Sequence, residues 1–172
     1  MEFILDHLKP GLDVIFVGFN PSLRSGESGH HYANPNNRFW KILYQSGLTD
    51  RKYSSEEDYK LLDIGYGFTN IVSRPTKAAD EITKEEYARG REELKDKIER
   101  FRPHCVCFVG KGVYLEYSLR KKAGWGFQDM DMVSGVRDFA APSSSGLVRI
   151  PLEDIVGVYK ELADYLNERK NG

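Results

Sequence analysis

The sequence predicts an α/β fold, a three-layer sandwich in which a mostly parallel central sheet is flanked by helices. Short apolar runs of strand length alternate along the chain with longer segments whose apolar residues recur at helical spacing. This alternation is typical of strand–helix–strand units, in which successive strands pair in parallel and the connecting helices cover the sheet. The 172 residues suit one domain over residues 1–172, with a sizeable core.

The predicted strands are short apolar runs bounded by glycine, proline or polar residues. The most regular runs are 13–17 and 105–109. Further strands are predicted over 67–72 and 138–141, and the least regular pattern predicts one near 129–133. Residues 20–37, by contrast, are rich in Gly, Ser, Asn and Pro and predict a loop between the first strand and the first helix.

The predicted helices have apolar residues at spacings of three and four and recognisable end signals. Thr83 and Glu86 form a capping box that opens a long helix, which Pro103 ends. The remaining predicted helices cover 39–46, 55–62, 110–121 and the segment that follows Pro151.

Composition and charge exclude a membrane protein and favour no partner. The formal net charge is −1, so binding of nucleic acid would need a local patch of positive charge. No apolar run reaches membrane-spanning length and the first residues lack a signal-peptide pattern, so we expect a cytoplasmic location. A monomer is the default expectation. Cys105 and Cys107 lie two residues apart in a predicted strand, so both side chains should be buried thiols on the same face. No histidine is spaced from these cysteines as the ligands of a zinc site are. We therefore expect no metal and no cofactor.

Two loops that follow predicted strands are the candidate functional segments, because ligands of parallel α/β sheets bind at the carboxyl ends of the strands. The first is Gly18-Phe19-Asn20-Pro21-Ser22, a sequence that favours a tight turn with exposed backbone N–H groups. The Asn20 amide can orient a water but cannot take up a proton at neutral pH. Taken alone, this segment is more often an Asn-Pro turn with a self-bonded side chain than a functional site.

The second loop covers 142–149 and reads Pro-Ser-Ser-Ser-Gly-Leu-Val-Arg. Small hydroxyl side chains can approach a phosphate backbone closely and donate to it. Leu147 follows Gly146 at a flexible tip, which suits an apolar wedge inserted into a base stack. In isolation, an ordinary surface loop with one packed leucine is an equally good interpretation.

Together, these segments resemble the family of mismatch-specific uracil-DNA glycosylases and thymine-DNA glycosylases, within the wider uracil-DNA glycosylase superfamily. The family motif Gly-Ile-Asn-Pro-Gly is similar to residues 18–22, with Ser22 in place of the last glycine. Later family motifs are similar to four further segments, 30–41, 67–72, 74–76 and 142–145. The resemblance runs in order from Gly11 to the last helix.

The resemblance implies an enzyme that flips uracil, and more weakly thymine or related modified bases, out of double-stranded DNA that contains a mismatched or deaminated base. It implies hydrolysis of the N-glycosidic bond, preferably at G·U mismatches, which leaves an abasic site in base excision repair. The implied site comprises catalytic Asn20 and His31, base-binding Gly18, Phe19, Ser25, Tyr32 and Asn70, and DNA-binding Ser143, Ser144, Ser145, Gly146, Leu147 and Arg149.

The same resemblance gives several of these residues a role. Tyr32 would stack on the base, and Asn70 would bond its polar edge. The backbone N–H of Phe19 would stabilise negative charge that grows on the uracil oxygen. Ser25 corresponds to a position near the methyl of a flipped thymine, so we expect uracil to be preferred to thymine.

The first motif contains no carboxylate, whereas ordinary glycosidases use a carboxylate pair. We therefore expect a dissociative path through an oxocarbenium-like sugar.

Two other classes of protein stay open. Residues 109–112, Val-Gly-Lys-Gly, follow a strand like part of a phosphate loop but lack its full spacing, so one alternative is a nucleotide-binding α/β protein. The other is a damage-recognition module of the same fold without catalysis.

Overall fold

The computed structural model describes residues 4–171, which contain one five-stranded sheet. The strands are β1 (Val14–Gly18), β2 (Tyr66–Asn70), β3 (Cys105–Val109), β4 (Gly126–Phe127) and β5 (Arg137–Ala141). Their order is β2-β1-β3-β5-β4, and every neighbouring pair is parallel except β4 with β5. The carboxyl ends of β1, β2, β3 and β5 therefore meet along one edge of the sheet.

Helices cover both faces of this sheet. They are α1 (Leu23–Ser28), α2 (Phe39–Gln45), α3 (Lys84–Phe101), α4 (Lys111–Ser118) and α5 (Leu152–Asn171), with 3₁₀ helices over Ser55–Ile64 and Ala79–Glu81. Helices α2 and α5 pack on one face, and α3 and α4 pack on the other. The predicted three-layer α/β sandwich is confirmed. Within residues 4–171, no helix is long and apolar enough to cross a membrane.

The central strands are apolar on both faces, as expected for a sheet that is covered on both sides. All five residues of β1 are buried, as are all five of β3. Val14 and Phe16 belong to the core beneath α2 and α5, whereas Ile15 and Val17 belong to the core beneath α3 and α4. Cys105 and Cys107 share the first of these cores as free thiols, as predicted. Packing on both sides fixes the strand ends from which the functional loops start.

Helix α3 begins close to the segment that follows β2. The predicted capping box is present, since the Thr83 side chain accepts from the Glu86 N–H and Glu86 accepts from the Thr83 N–H. One turn further along, Gly90 meets the main chain of Ile71 so closely that a Cβ at residue 90 would overlap the Ile71 carbonyl oxygen. Only glycine permits this approach. The N-terminal half of α3 is thereby held near the carboxyl edge of the sheet.

The prediction of a continuous loop over 20–37 was wrong, because helix α1 lies within it. The Ser22 hydroxyl accepts from the Ser25 N–H at 3.1 Å and caps the first turn of that helix. Gly29 then ends the helix in a left-handed conformation, with φ of 77°.

The strand predicted near 129–133 was also wrong. The Asp131 side chain accepts from the Asp138 N–H, and the Asp138 side chain accepts from the Met132 N–H, both at 3.0 Å. These side chains replace strand pairing, and the edge strand of the sheet is β4 instead. Helix α4 ends before the predicted 121, because Leu119 adopts a left-handed conformation with φ of 62°.

Candidate active site

A cleft of about 620 Å³ opens where the carboxyl ends of the parallel strands meet. Its walls are the turn after β1, the end of β2, residues 76–79 and the loop after β5. Among the predicted site residues, only Arg149 lies outside the lining, and it is exposed. The predicted residues that line the cleft are Gly18, Phe19, Asn20, Ser25, His31, Tyr32, Asn70, Ser143, Ser144, Ser145, Gly146 and Leu147.

The side chain of Asn20 is held in one orientation. Its amide nitrogen donates to the backbone carbonyl of Arg74 at 2.7 Å and to the Thr76 hydroxyl oxygen at 2.8 Å. Because a carbonyl oxygen can only accept, the NH₂ group must face Arg74 and the amide oxygen must face away from it. That oxygen has no hydrogen-bond donor within residues 4–171. It is therefore available to a water or ligand in the cleft.

The segment that holds Asn20 is itself fixed to helix α3. Arg74 donates to both carboxylate oxygens of Glu86, at 2.8 and 2.9 Å. This hydrogen bonding to Arg74 is the main cause that lowers the pKa of Glu86 to about 2. Thr76, besides accepting from Asn20, donates to the Ala78 carbonyl at 2.8 Å. A continuous chain of polar contacts thus runs from the first turn of α3 to the amide of Asn20.

Gly18 forms the floor of the cleft. A Cβ at this residue would lie 2.7 Å from Oδ1 of Asn70 and 3.3 Å from the Tyr32 hydroxyl. Asn70 reaches this position because it pairs with Gly18 at the ends of β2 and β1. No hydrogen bond within residues 4–171 involves the Asn70 side chain, so its amide donor and acceptor are both available to a ligand.

Tyr32 offers an aromatic face to the cleft. Its ring stacks on Phe39, with 3.9 Å between the ring centroids and 11° between the planes. Because Phe39 covers one face, a ligand can stack only on the opposite face. The backbone of Tyr32 is left-handed, with φ of 52°, and its carbonyl accepts from Nε1 of Trp40 at 3.2 Å. Burial raises the pKa of the Tyr32 hydroxyl above its ordinary range, so the ring stays neutral.

His31 lies in the cleft wall as a buried, neutral imidazole. Burial is the main cause that lowers the pKa of its ring to about 4. Nε2 lies 2.9 Å from the Leu5 carbonyl oxygen, and because this oxygen can only accept, the proton of the neutral ring lies on Nε2. Nδ1 is then an acceptor. At neutral pH, His31 can accept a hydrogen bond from a ligand but is not a general acid.

The turn after β1 presents its backbone to the cleft. The N–H groups of Phe19 and Asn20 make no hydrogen bond within residues 4–171. The Phe19 ring packs against the opposite side, in a T-shaped contact with Tyr87 and against Gly112. The turn therefore combines two free donors with a side chain that anchors it to α3 and α4.

Ser22 and Ser25 are both bound within the first loop. Ser22 serves as the cap of α1, which accounts for a serine where the family motif has glycine. Ser25 is 2% exposed, and its hydroxyl oxygen accepts from the Ala33 N–H at 3.1 Å. The Ser25 hydroxyl is thus a fixed polar group in the cleft wall.

The loop after β5 holds Leu147 in solvent, where its side chain is 92% exposed. The Ser143 hydroxyl accepts from the Ser145 N–H, and the Ser145 hydroxyl accepts from the Leu147 N–H, both at 3.2 Å. Gly146 allows the tip to approach the first loop, since a Cβ there would lie 2.5 Å from the Asn36 carbonyl oxygen. The small residues of this loop therefore shape the tip that carries Leu147.

Arg38 joins the two loops, a role that the sequence did not reveal. Its N–H donates to the carbonyl of buried Ser144 at 2.9 Å. Its guanidinium Nη2 donates to the carbonyls of Ser145 and Val148, at 3.1 and 3.3 Å. Arg38 lies within the family-like segment 30–41, which was the only sequence signal for it.

The cleft is electrostatically suited to an anion despite the net charge of −1. Among residues 4–171, its lining includes Arg38 and Lys77 but no aspartate or glutamate. This described lining therefore contains no carboxylate pair of the ordinary glycosidase type.

The phosphate-loop-like segment 109–112 contributes only Val109 to the lining. Lys111 instead places Nζ 4.0 Å from the centre of the Trp125 ring.

Comparison with known proteins identifies the family and the fold. The family model of the uracil DNA glycosylase superfamily matches residues 5–167. The fold is similar to that of a solution NMR structure from Methanosarcina acetivorans, which is described as a candidate uracil DNA glycosylase. The two chains share 20% sequence identity with a TM-score of 0.59, and the match covers 94% of this chain and 97% of that chain.

Proposed function

Because the chain belongs to the uracil DNA glycosylase superfamily, we propose that it flips uracil out of double-stranded DNA and hydrolyses its N-glycosidic bond, preferably at G·U mismatches. Membership of this superfamily supports DNA glycosylase activity. The observation that carries the proposal is the fixed amide of Asn20, whose NH₂ group is bound to the protein and whose oxygen remains for the cleft. The product is an abasic site for base excision repair.

The cleft offers a flipped uracil a stacking face and a polar contact. The base stacks on the open face of Tyr32, whose other face rests on Phe39. The Asn70 amide has both a donor and an acceptor for the polar edge of the ring. Gly18 leaves this edge accessible, since any Cβ would crowd the Asn70 oxygen at 2.7 Å. The buried, neutral ring of His31 forms part of the wall beside the base.

Asn20 positions the attacking water without deprotonating it. The bond between C1′ and the uracil nitrogen breaks first, and its electron pair leaves with the base. The free N–H groups of Phe19 and Asn20 stabilise the negative charge on the base, and such donors contribute about 3 kcal/mol each in other enzymes. Water held by the Asn20 oxygen then adds to C1′ and loses its proton to solvent or to the departed anion.

The loop after β5 acts on the DNA rather than on the base. Leu147, 92% exposed, fills the gap that the flipped nucleotide leaves in the stack. The hydroxyls of Ser143 and Ser145 accept from backbone N–H groups, which leaves their own O–H groups to donate to phosphates. Arg149 is exposed at the end of this loop and adds positive charge.

The preference for a mismatch follows from the cost of flipping, which is lowest where base pairing is weakest. The preference for uracil over thymine follows from Ser25, whose fixed hydroxyl is a poorer neighbour for a methyl group than an apolar side chain. The protein acts on this substrate as a monomer.

Single-turnover release of uracil from an end-labelled G·U duplex tests the role of Asn20. We expect Asn20→Ala to lose at least about a hundredfold in rate while it still binds the duplex. Asn167→Ala is the matched control, because Asn167 is exposed on α5, and it should release uracil like the wild type. Release by Asn20→Ala at the wild-type rate would remove Asn20 from the mechanism. Binding without release by the wild type would favour the damage-recognition module.

A further inference from the structure

A cluster of two histidines and a carboxylate lies behind the cleft wall. His7 precedes β1, His31 lies between α1 and α2, and Asp58 lies on the 3₁₀ helix Ser55–Ile64. One ring nitrogen of each histidine and one carboxylate oxygen all lie within 4.8 Å of one another. Because the three residues are far apart in the sequence, no ligand spacing could reveal them there.

The carboxylate of Asp58 is buried without a permanent counter-charge. Asp58 is 1% exposed, and within residues 4–171 no lysine or arginine forms an ion pair with it. Its oxygens accept from the His31 backbone N–H at 2.8 Å and lie 3.1 Å from Nδ1 of His30. An ionised buried carboxylate is costly unless it is paired with a cation or coordinates a metal. Each oxygen retains a further lone pair for such a partner.

The two histidines are prepared for coordination. Among residues 4–171, the buried Nδ1 of His7 has no hydrogen-bond partner. The His7 main chain is fixed beside β2, since its N–H and carbonyl both pair with Phe68 at 2.9 Å. His31 donates from Nε2 to the Leu5 carbonyl, the outer contact that commonly orients a metal-binding imidazole and leaves its other nitrogen unprotonated.

We propose that His7, His31 and Asp58 form a binding site for a divalent transition metal of the Zn²⁺ class, with water as the fourth ligand. Two imidazoles and a carboxylate suit zinc, whereas Mg²⁺ prefers oxygen ligands alone. Zinc–nitrogen bonds of about 2.0–2.1 Å place tetrahedral ligands about 3.4 Å apart, so ligand atoms that now lie as far as 4.8 Å apart must close in by up to about 1.4 Å. The bound metal would tie the segment before β1 and the 3₁₀ helix to the wall of the cleft. This site does not depend on the proposed glycosylase activity.

Calorimetric titration of tag-free, chelator-treated protein with Zn²⁺ tests the site, with Co²⁺ absorption as a second probe. We expect one ion per chain with micromolar or tighter affinity, tetrahedral Co²⁺ bands, and no binding of Mg²⁺ at the same concentrations. His7→Ala should weaken Zn²⁺ binding at least about tenfold. His104→Ala is the matched control, because His104 is exposed and contacts Arg169 instead, and it should bind like the wild type.

The thermal midpoint supplies a readout that needs no catalysis. Zn²⁺ should raise the midpoint of the wild type and of His104→Ala but not that of His7→Ala. Asp58→Asn is a second variant with the same expected loss, and circular dichroism shows whether it folds. Absence of Zn²⁺ binding by the wild type would overturn the proposal, and so would unchanged binding by folded His7→Ala.

Discussion

Replacing Thr76 by valine removes one of the two groups that orient the Asn20 amide. Thr76 is 4% exposed and valine has nearly its shape, so the change removes the hydroxyl, together with its 2.8 Å bond to the Ala78 carbonyl, and leaves the packing in place. The Asn20 amide keeps its 2.7 Å bond to the Arg74 carbonyl but loses its 2.8 Å bond to Thr76. An unsatisfied, partly buried N–H costs about 1–2 kcal/mol. If this cost falls on the oriented amide, uracil release should slow about 5- to 30-fold.

The assay is single-turnover uracil release at saturating enzyme, with the thermal midpoint measured on the same preparations. Thr76→Ser retains the hydroxyl and should restore the rate to within about threefold. Thr69→Val is the matched control, because Thr69 is also buried but donates to Asp6, and it should lose stability without a comparable loss of rate. A wild-type rate in Thr76→Val, or equal slowing in Thr69→Val, would refute the argument that Thr76 acts through Asn20.

Three further predictions follow from the cleft. Gly18→Ala places a Cβ 2.7 Å from the Asn70 oxygen and should weaken uracil binding about tenfold, whereas unchanged affinity would show that Asn70 does not read the base. Leu147→Ala should slow single-turnover release about tenfold with an unchanged thermal midpoint, because the side chain is 92% exposed; a lowered midpoint would instead indicate packing. The His31 ring titrates near 6.5 when unfolded and at about 4 when buried, so the unfolded chain takes up the proton first and stability is lost as pH falls from 6.5 towards 4. Urea unfolding should therefore show the wild type losing about 2 kcal/mol more than His31→Gln between pH 7 and pH 5, and equal losses would contradict a buried neutral ring.

The sequence predicted those parts of the fold that depend on local apolar patterns. The runs at 13–17 and 105–109 became the buried strands β1 and β3, because a strand covered on both faces is apolar at every position. The position of the cleft followed from the parallel sheet, since the loops after β1 and β5 had to meet at one edge.

The remaining features depend on contacts between distant residues. The orientation of Asn20 is set by Arg74, 54 residues away, and the junction of the two loops depends on Arg38, which reaches Val148 across 110 residues. A composition rich in glycine and serine concealed helix α1, although Ser22 was its capping residue. No periodic pattern records such pairings.

The most direct test of the proposed function is single-turnover base release by the wild type from matched duplexes that carry G·U, A·U or G·T, with the released base identified by mass spectrometry. The proposal predicts free uracil and an abasic site, with G·U fastest, A·U slower and G·T slowest. Binding of these duplexes without release of a free base from either uracil duplex would contradict it.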